Sequence, residues 1–147
     1  LIISFVFLLT PIVPVASYAG ELEDAKEEVR KNPDDAGAHN NLGLAYHDSG
    51  MHKEEIESFK QAIRIDPDLV DAHYNLGVAY RESGKYKEAI PSFKQSIKLN
   101  PDLADAHYEL GLVYVLSNDR NSALEQYKIL KNLDSEVANE LFDLIYK

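Results

Sequence analysis

Residues 67–101, PDLVDAHYNLGVAYRESGKYKEAIPSFKQSIKLNP, decide the fold. They read as two short amphipathic helices separated by a break at Ser83-Gly84, and the chain carries the unit more than once. A shift of 34 residues lays His39, Leu42, Gly43, Tyr46, Phe59 and Pro67 over His73, Leu76, Gly77, Tyr80, Phe93 and Pro101. A further shift reaches His107, Leu110, Gly111, Tyr114, Ala123 and Tyr127. A fixed period of this size marks a stack of like helical hairpins, each hiding its apolar flank against the next.

Each hairpin carries its own punctuation. Proline stops the preceding helix, and Asp34, Asp68 or Asp102 is placed to accept from the free N–H groups of the new one. Asp71 and Asp105 fall three residues later, as in a capping box with Asp for Glu. Leu42, Leu76 and Leu110 share a helix face with Tyr46, Tyr80 and Tyr114 four residues on. The glycine beside each leucine (Gly43, Gly77, Gly111) costs about 1 kcal/mol against alanine inside a helix, which points to a facing helix that needs the room. Gly50 and Gly84 are expected to end the first helices, with Asn118 taking that place in the third repeat through its tolerance of left-handed backbone. Pro91 lies a turn inside the second helix of its hairpin, predicting a bend or a lost bond near Lys87.

Outside the repeats the composition changes. Residues 1–19, LIISFVFLLTPIVPVASYA, carry no charge, so all 25 acids and 15 bases follow Gly20. A cleaved secretory signal, a retained membrane anchor and a buried core helix compete for this stretch. The short apolar run, Pro11, Pro14 and the small residues Ser17 and Ala19 favour the cleaved signal, hence an exported, periplasmic or secreted chain. Residues 21–32 present Leu22, Ala25 and Val29 as one narrow stripe and read as an N-terminal cap. Residues 135–147 read as a closing helix that docks through Val137, Leu141, Leu144 and Ile145. There Ala138, Phe142 and Tyr146 widen the apolar arc beyond what one neighbour covers. That surplus points to self-association through Phe142 and Tyr146, to further sequence, to a membrane, or to folding over the edge of the third repeat.

The pattern H-x-x-L-G-x-x-Y, then E/A-x-x-x-F, then Pro, at 34-residue spacing over residues 33–137, resembles the tetratricopeptide repeat. The resemblance implies an all-α, right-handed α-solenoid of antiparallel helix pairs: a capping helix at 20–35, repeats at 36–69, 70–103 and 104–137, and a C-terminal cap at 135–147. The chain departs from the family pattern at His39, His73 and His107, where Trp is frequent, at Glu55, where Ala is usual, and at Ser135, where the third terminal Pro is missing. In the family the first helices line a concave groove that holds a peptide or a partner helix. Carried over by position, the groove here comprises Asn40, Asn41, Leu44, Asp71, Tyr74, Asn75, Val78, Arg81, Asp105, Tyr108, Glu109 and Leu112, with Gly37, His47, Asp48, Glu82, Val115 and Leu116 beside them. Arg81 is its sole cation, which argues against clamping a terminal carboxylate. Asn41 and Asn75 suit a peptide backbone, Tyr74 and Tyr108 suit aromatic anchoring, and the acids suit a neutral or basic protein partner.

Chemistry finds little footing. With no cysteine, disulfides, thiolate metal sites and thiol nucleophiles are excluded. A net charge of −10 argues against nucleic acid, which demands clustered Lys and Arg. His39, His73 and His107 stand one repeat apart on helices about 8–10 Å from their neighbours, too far to share an ion with bonds of about 2 Å. His47 and His52 flank the first turn and read as solvated. No nucleophile elbow, zinc-protease or phosphate-loop motif occurs. The expectation is a non-catalytic interaction module with no cofactor and no metal, and with a membrane role only if residues 1–19 are retained.

Overall fold

The structure, a computed structural model, describes residues 15–147. The leader or anchor expected at residues 1–19 lies outside the described residues up to position 14, and residues 15–19 form the opening turns of a helix. Eight helices follow one another without a strand among the described residues: α1 (Val15–Lys31), α2 (Ala36–Asp48), α3 (His52–Ile65), α4 (Val70–Glu82), α5 (Tyr86–Leu99), α6 (Ala104–Leu116), α7 (Arg120–Leu133) and α8 (Ser135–Tyr146). None of these is long and apolar enough to cross a membrane.

The hairpins α2–α3, α4–α5 and α6–α7 stack in sequence, each second helix meeting the first helix of the next pair. The first helices also touch one another, α2 to α4, α4 to α6 and α6 to α8, whereas α3, α5 and α7 do not. The result is an inner layer of first helices and an outer layer of second helices, an all-α repeat solenoid.

Close approach inside a hairpin is what the repeated glycine provides. A Cβ on Gly43 would stand 2.5 Å from the Phe59 ring, and one on Gly77 would stand 2.7 Å from Phe93. Both rings are fully buried, so neither can retreat. In the third hairpin the equivalent of Phe93 is Tyr127, which turns away to pack against Phe142, and Gly111 instead accepts Leu141 of α8. The closing helix thus fills the place that a ring fills in the other two repeats.

Hairpin turns repeat to the atom. The residue after each C-cap has positive φ, 70° at Gly50 and Gly84 and 60° at Asn118. Its N–H bonds to the carbonyl two positions before the cap, and the next N–H reaches back further: Met51 to Tyr46, Lys85 to Tyr80, and Asp119 to Tyr114. This is the Schellman closure, which satisfies the last helical carbonyls.

The N-terminal caps differ from expectation. Asp34, Asp68 and Asp102 sit in the turn, one residue too early to cap. Asp35 caps α2 through the Ala38 N–H, while Leu69 and Leu103 occupy the cap positions of α4 and α6 without a side-chain bond. Asp71 and Asp105 complete no capping box and lie in the first turn, where the helix dipole favours a carboxylate. The repeated histidine ties the junction down instead. Nε2 of His39, His73 and His107 donates to the carbonyl of Pro33, Pro67 and Pro101 respectively, each at 2.9 Å.

At the C-terminal end Ala138 and Leu141 are fully buried and Ile145 nearly so, which places Ala138 in the core and not on the surplus apolar arc. Phe142 and Tyr146 remain 38% and 53% exposed. Their rings stack at 4.4 Å, Phe142 leans on Tyr127 at 5.1 Å, and the Arg120 guanidinium lies 4.2 Å above Tyr146. The pair folds over the edge of the third repeat while leaving part of each ring in water.

Candidate binding face

The residues carried onto the groove all belong to α2, α4 and α6, the helices of the inner layer. Their side chains divide into those held within the scaffold and those that reach outward.

Asn40 is buried, and its Oδ1 accepts from Nδ2 of Asn75, 3.0 Å away on the neighbouring hairpin. This bond spans the junction between the first two repeats and engages one amide N–H of Asn75. Asn41 is exposed. Tyr74 is half-buried with its ring edge against Phe93, centroids 6.0 Å apart. Burial, with Glu109 and Asp105 nearby, pushes its hydroxyl up to about 12. Tyr108 is also raised, chiefly by burial and then by Glu140 of α8. Val78 and Tyr108 pack against the core, Leu112 is half-buried, and Leu44, Asp71 and Asp105 project outward.

Arg81, the sole cation on this face, is not free. Its Nε lies 2.6 Å from Oε2 of Glu109 on the next hairpin, and a terminal guanidinium nitrogen lies 3.3 Å from Glu82. Burial raises Glu109 above the ordinary carboxylate value and Arg81 pulls it back, with burial the larger effect. Neither Nε nor Oε2 is aligned for a hydrogen bond, so the attraction is that of an ion pair. With Arg81 neutralised, Asp48, Asp71, Glu82 and Asp105 leave the inner layer acidic.

Two features were not anticipated from the sequence. An open apolar hollow of about 470 Å³ lies between the first two repeats, lined by Ile63, His73, Leu76, Pro91 and Gln95 with Lys60 and Arg64 at its rim. The second lies at the first hairpin turn, where His47 and His52, expected to be solvated, converge on a buried acid. Each presents Nδ1 at 3.0 Å to a different oxygen of Glu55. The signal for it was Glu55 itself, a carboxylate at the position that Ala89 and Ala123 hold in the other repeats.

Stacked hairpins with an inner face of alternating packed and projecting side chains define a helical-repeat scaffold protein. The TPR repeat family model matches residues 52–80 and 78–118. Among solved structures, MamA superposes with a TM-score of 0.77 at 25% identity, covering 89% of this chain and 88% of that one. A thermophilic tetratricopeptide-repeat protein from Thermus thermophilus gives 0.74 at 23%, covering 90% and 75%. A tetratricopeptide-repeat protein from Parabacteroides merdae gives 0.80 at 19%, covering 88% and 53%. No curated protein sequence matches. Residues 52–118 thus match the tetratricopeptide repeat, and the chain has the all-α helical-repeat fold of such proteins, a scaffold suited to protein–protein interaction.

Proposed function

We propose that this protein is a non-catalytic, exported scaffold that binds an extended peptide or partner helix of neutral or basic character along the inner face of α2, α4 and α6. The observation that carries the reading is the Arg81–Glu109 pair at 2.6 Å. It removes the only cation from a face whose remaining charges are carboxylates, so an acidic ligand would meet uncompensated repulsion. Half-buried Tyr74 and Tyr108 supply rigid apolar area whose bodies are fixed by packing, and exposed Asn41 supplies amide hydrogen-bonding groups. Export rests on the uncharged stretch at residues 1–19.

A photo-crosslinking side chain at Asn41 should trap a protein partner in cells, while one at Lys94, exposed on outer helix α5, should not. Reversing Asp71→Lys and Asp105→Lys should abolish the trapped product without loss of helicity. Equal trapping from Lys94, or trapping that survives the charge reversal, sinks the reading. A second reading, assembly of copies through Phe142 and Tyr146, draws on their partly exposed ring stack. Sedimentation tests it, since a monomer at every concentration removes it.

A further inference from the structure

Glu55 is a carboxylate at 2% exposure in the second helix of the first hairpin. The same position in the other hairpins holds Ala89 and Ala123, both fully buried. A carboxylate taken out of water here is costly unless its charge is answered. The groups that answer it stand at positions where all three hairpins differ: His47 aligns with Arg81 and Val115, and His52 with Tyr86 and Arg120. The one departure from a shared residue, Glu55, therefore meets two imidazoles at the first hairpin turn. His47 Nδ1 lies 3.0 Å from one Glu55 oxygen and His52 Nδ1 3.0 Å from the other. From the neighbouring hairpin, Glu82 Oε2 comes to 3.7 Å from His47 Nδ1.

We propose that His47, His52 and Glu55 form a binding site for a divalent first-row metal ion of the zinc type, with water completing its coordination. The donor set is two imidazoles and a carboxylate, which suits zinc and its neighbours better than calcium or magnesium. Bonds of about 2.1 Å require donor atoms no more than about 4.2 Å apart. The donors of the three residues lie within 4.8 Å of one another, and exposed His52 closes the remainder by a small side-chain rotation. One ion would satisfy the buried carboxylate and both ring nitrogens together. His52 faces water, giving the ion a route in and a place for a water ligand. Bound there, the ion would clip the end of α2 to the start of α3 across the first hairpin turn.

Equilibrium dialysis of the tag-free full chain against zinc chloride should find one zinc per chain, with a rise in Tm of about 4 °C or more at saturation. Glu55→Ala installs the residue that the other repeats carry and should fold. His52→Ala changes an exposed side chain. Each should weaken zinc binding by at least about tenfold and remove the Tm rise, and His39→Ala should leave both unchanged. Cobalt in place of zinc should give a visible absorption band in the parent chain and lose it in Glu55→Ala. Failure of the parent chain to retain zinc overturns the assignment, and so does equal retention by Glu55→Ala and His52→Ala.

Discussion

Individual side chains across the inner layer couple one hairpin to the next, and the Arg81–Glu109 pair does so with charge. Burial raises the folded-state pKa of Glu109, so the stability linked to its titration is fully present below the unfolded value and lost as pH rises through the folded one. Arg81 offsets that loss at neutral pH. Arg81→Met should therefore cost about 1–2 kcal/mol near pH 7, and the deficit should shrink as pH falls and Glu109 takes up a proton. Urea unfolding of both proteins near pH 7 and near pH 5 measures it. A deficit that stays constant across that range would mean that Arg81 acts through its aliphatic packing alone. The repeated histidines show why such detail escapes sequence reading. Their recurrence was visible, but the acceptor of each ring is the preceding repeat's proline carbonyl, a backbone atom that side-chain identities do not specify.

At the level of helices, the punctuation was legible where backbone conformation demands a residue type and illegible where several residues can serve. Positive φ at Gly50, Gly84 and Asn118 follows from residue chemistry, as does the fit of Gly43 and Gly77 against a ring. The N-caps shifted by one residue because the Pro-Asp pair is used by the turn, and an aspartate at any of three neighbouring positions looks alike in sequence. The start of α1 at Val15 was hidden by the composition break at Gly20, which marks a change of polarity and not of backbone. At the inner face, the helices that contribute were readable from the period, while the Asn40–Asn75 bond and the neutralisation of Arg81 depend on how adjacent repeats are rotated. Pro91 is a conflict within an element. Helix α5 runs through it from Tyr86 to Leu99, yet proline has no N–H to give to the Lys87 carbonyl. The other hairpins carry exposed Glu57 and Glu125 there. Pro91→Glu should restore the bond and stabilise the chain by about 1–3 kcal/mol, read as a higher urea midpoint at unchanged slope. An unmoved midpoint would show that α5 has already accommodated the missing bond.

Across the whole molecule, stability is shared between neighbours and not gathered at one centre. Buried residues fall into two clusters, one around Phe59 and Leu76, the other running from Phe93 through Leu110 and Leu130 to Leu141 and Ile145. Helix α8 touches α6 and α7 and none of the first five helices. Damage at the C-terminal end should accordingly spread only as far as the interfaces that share it. Leu141 is the sharpest probe, since it is fully buried and its methyls fill the space above Gly111. Leu141→Ala should cost about 3–4 kcal/mol, because the rigid wall at Gly111 has no side chain with which to close the cavity. Hydrogen exchange should then quicken through α6, α7 and α8, while α2 and α3 keep their protection. Equal loss of protection in every helix would mean that the chain unfolds as one indivisible unit, and that the second cluster transmits its strain through Phe93 to the first hairpin.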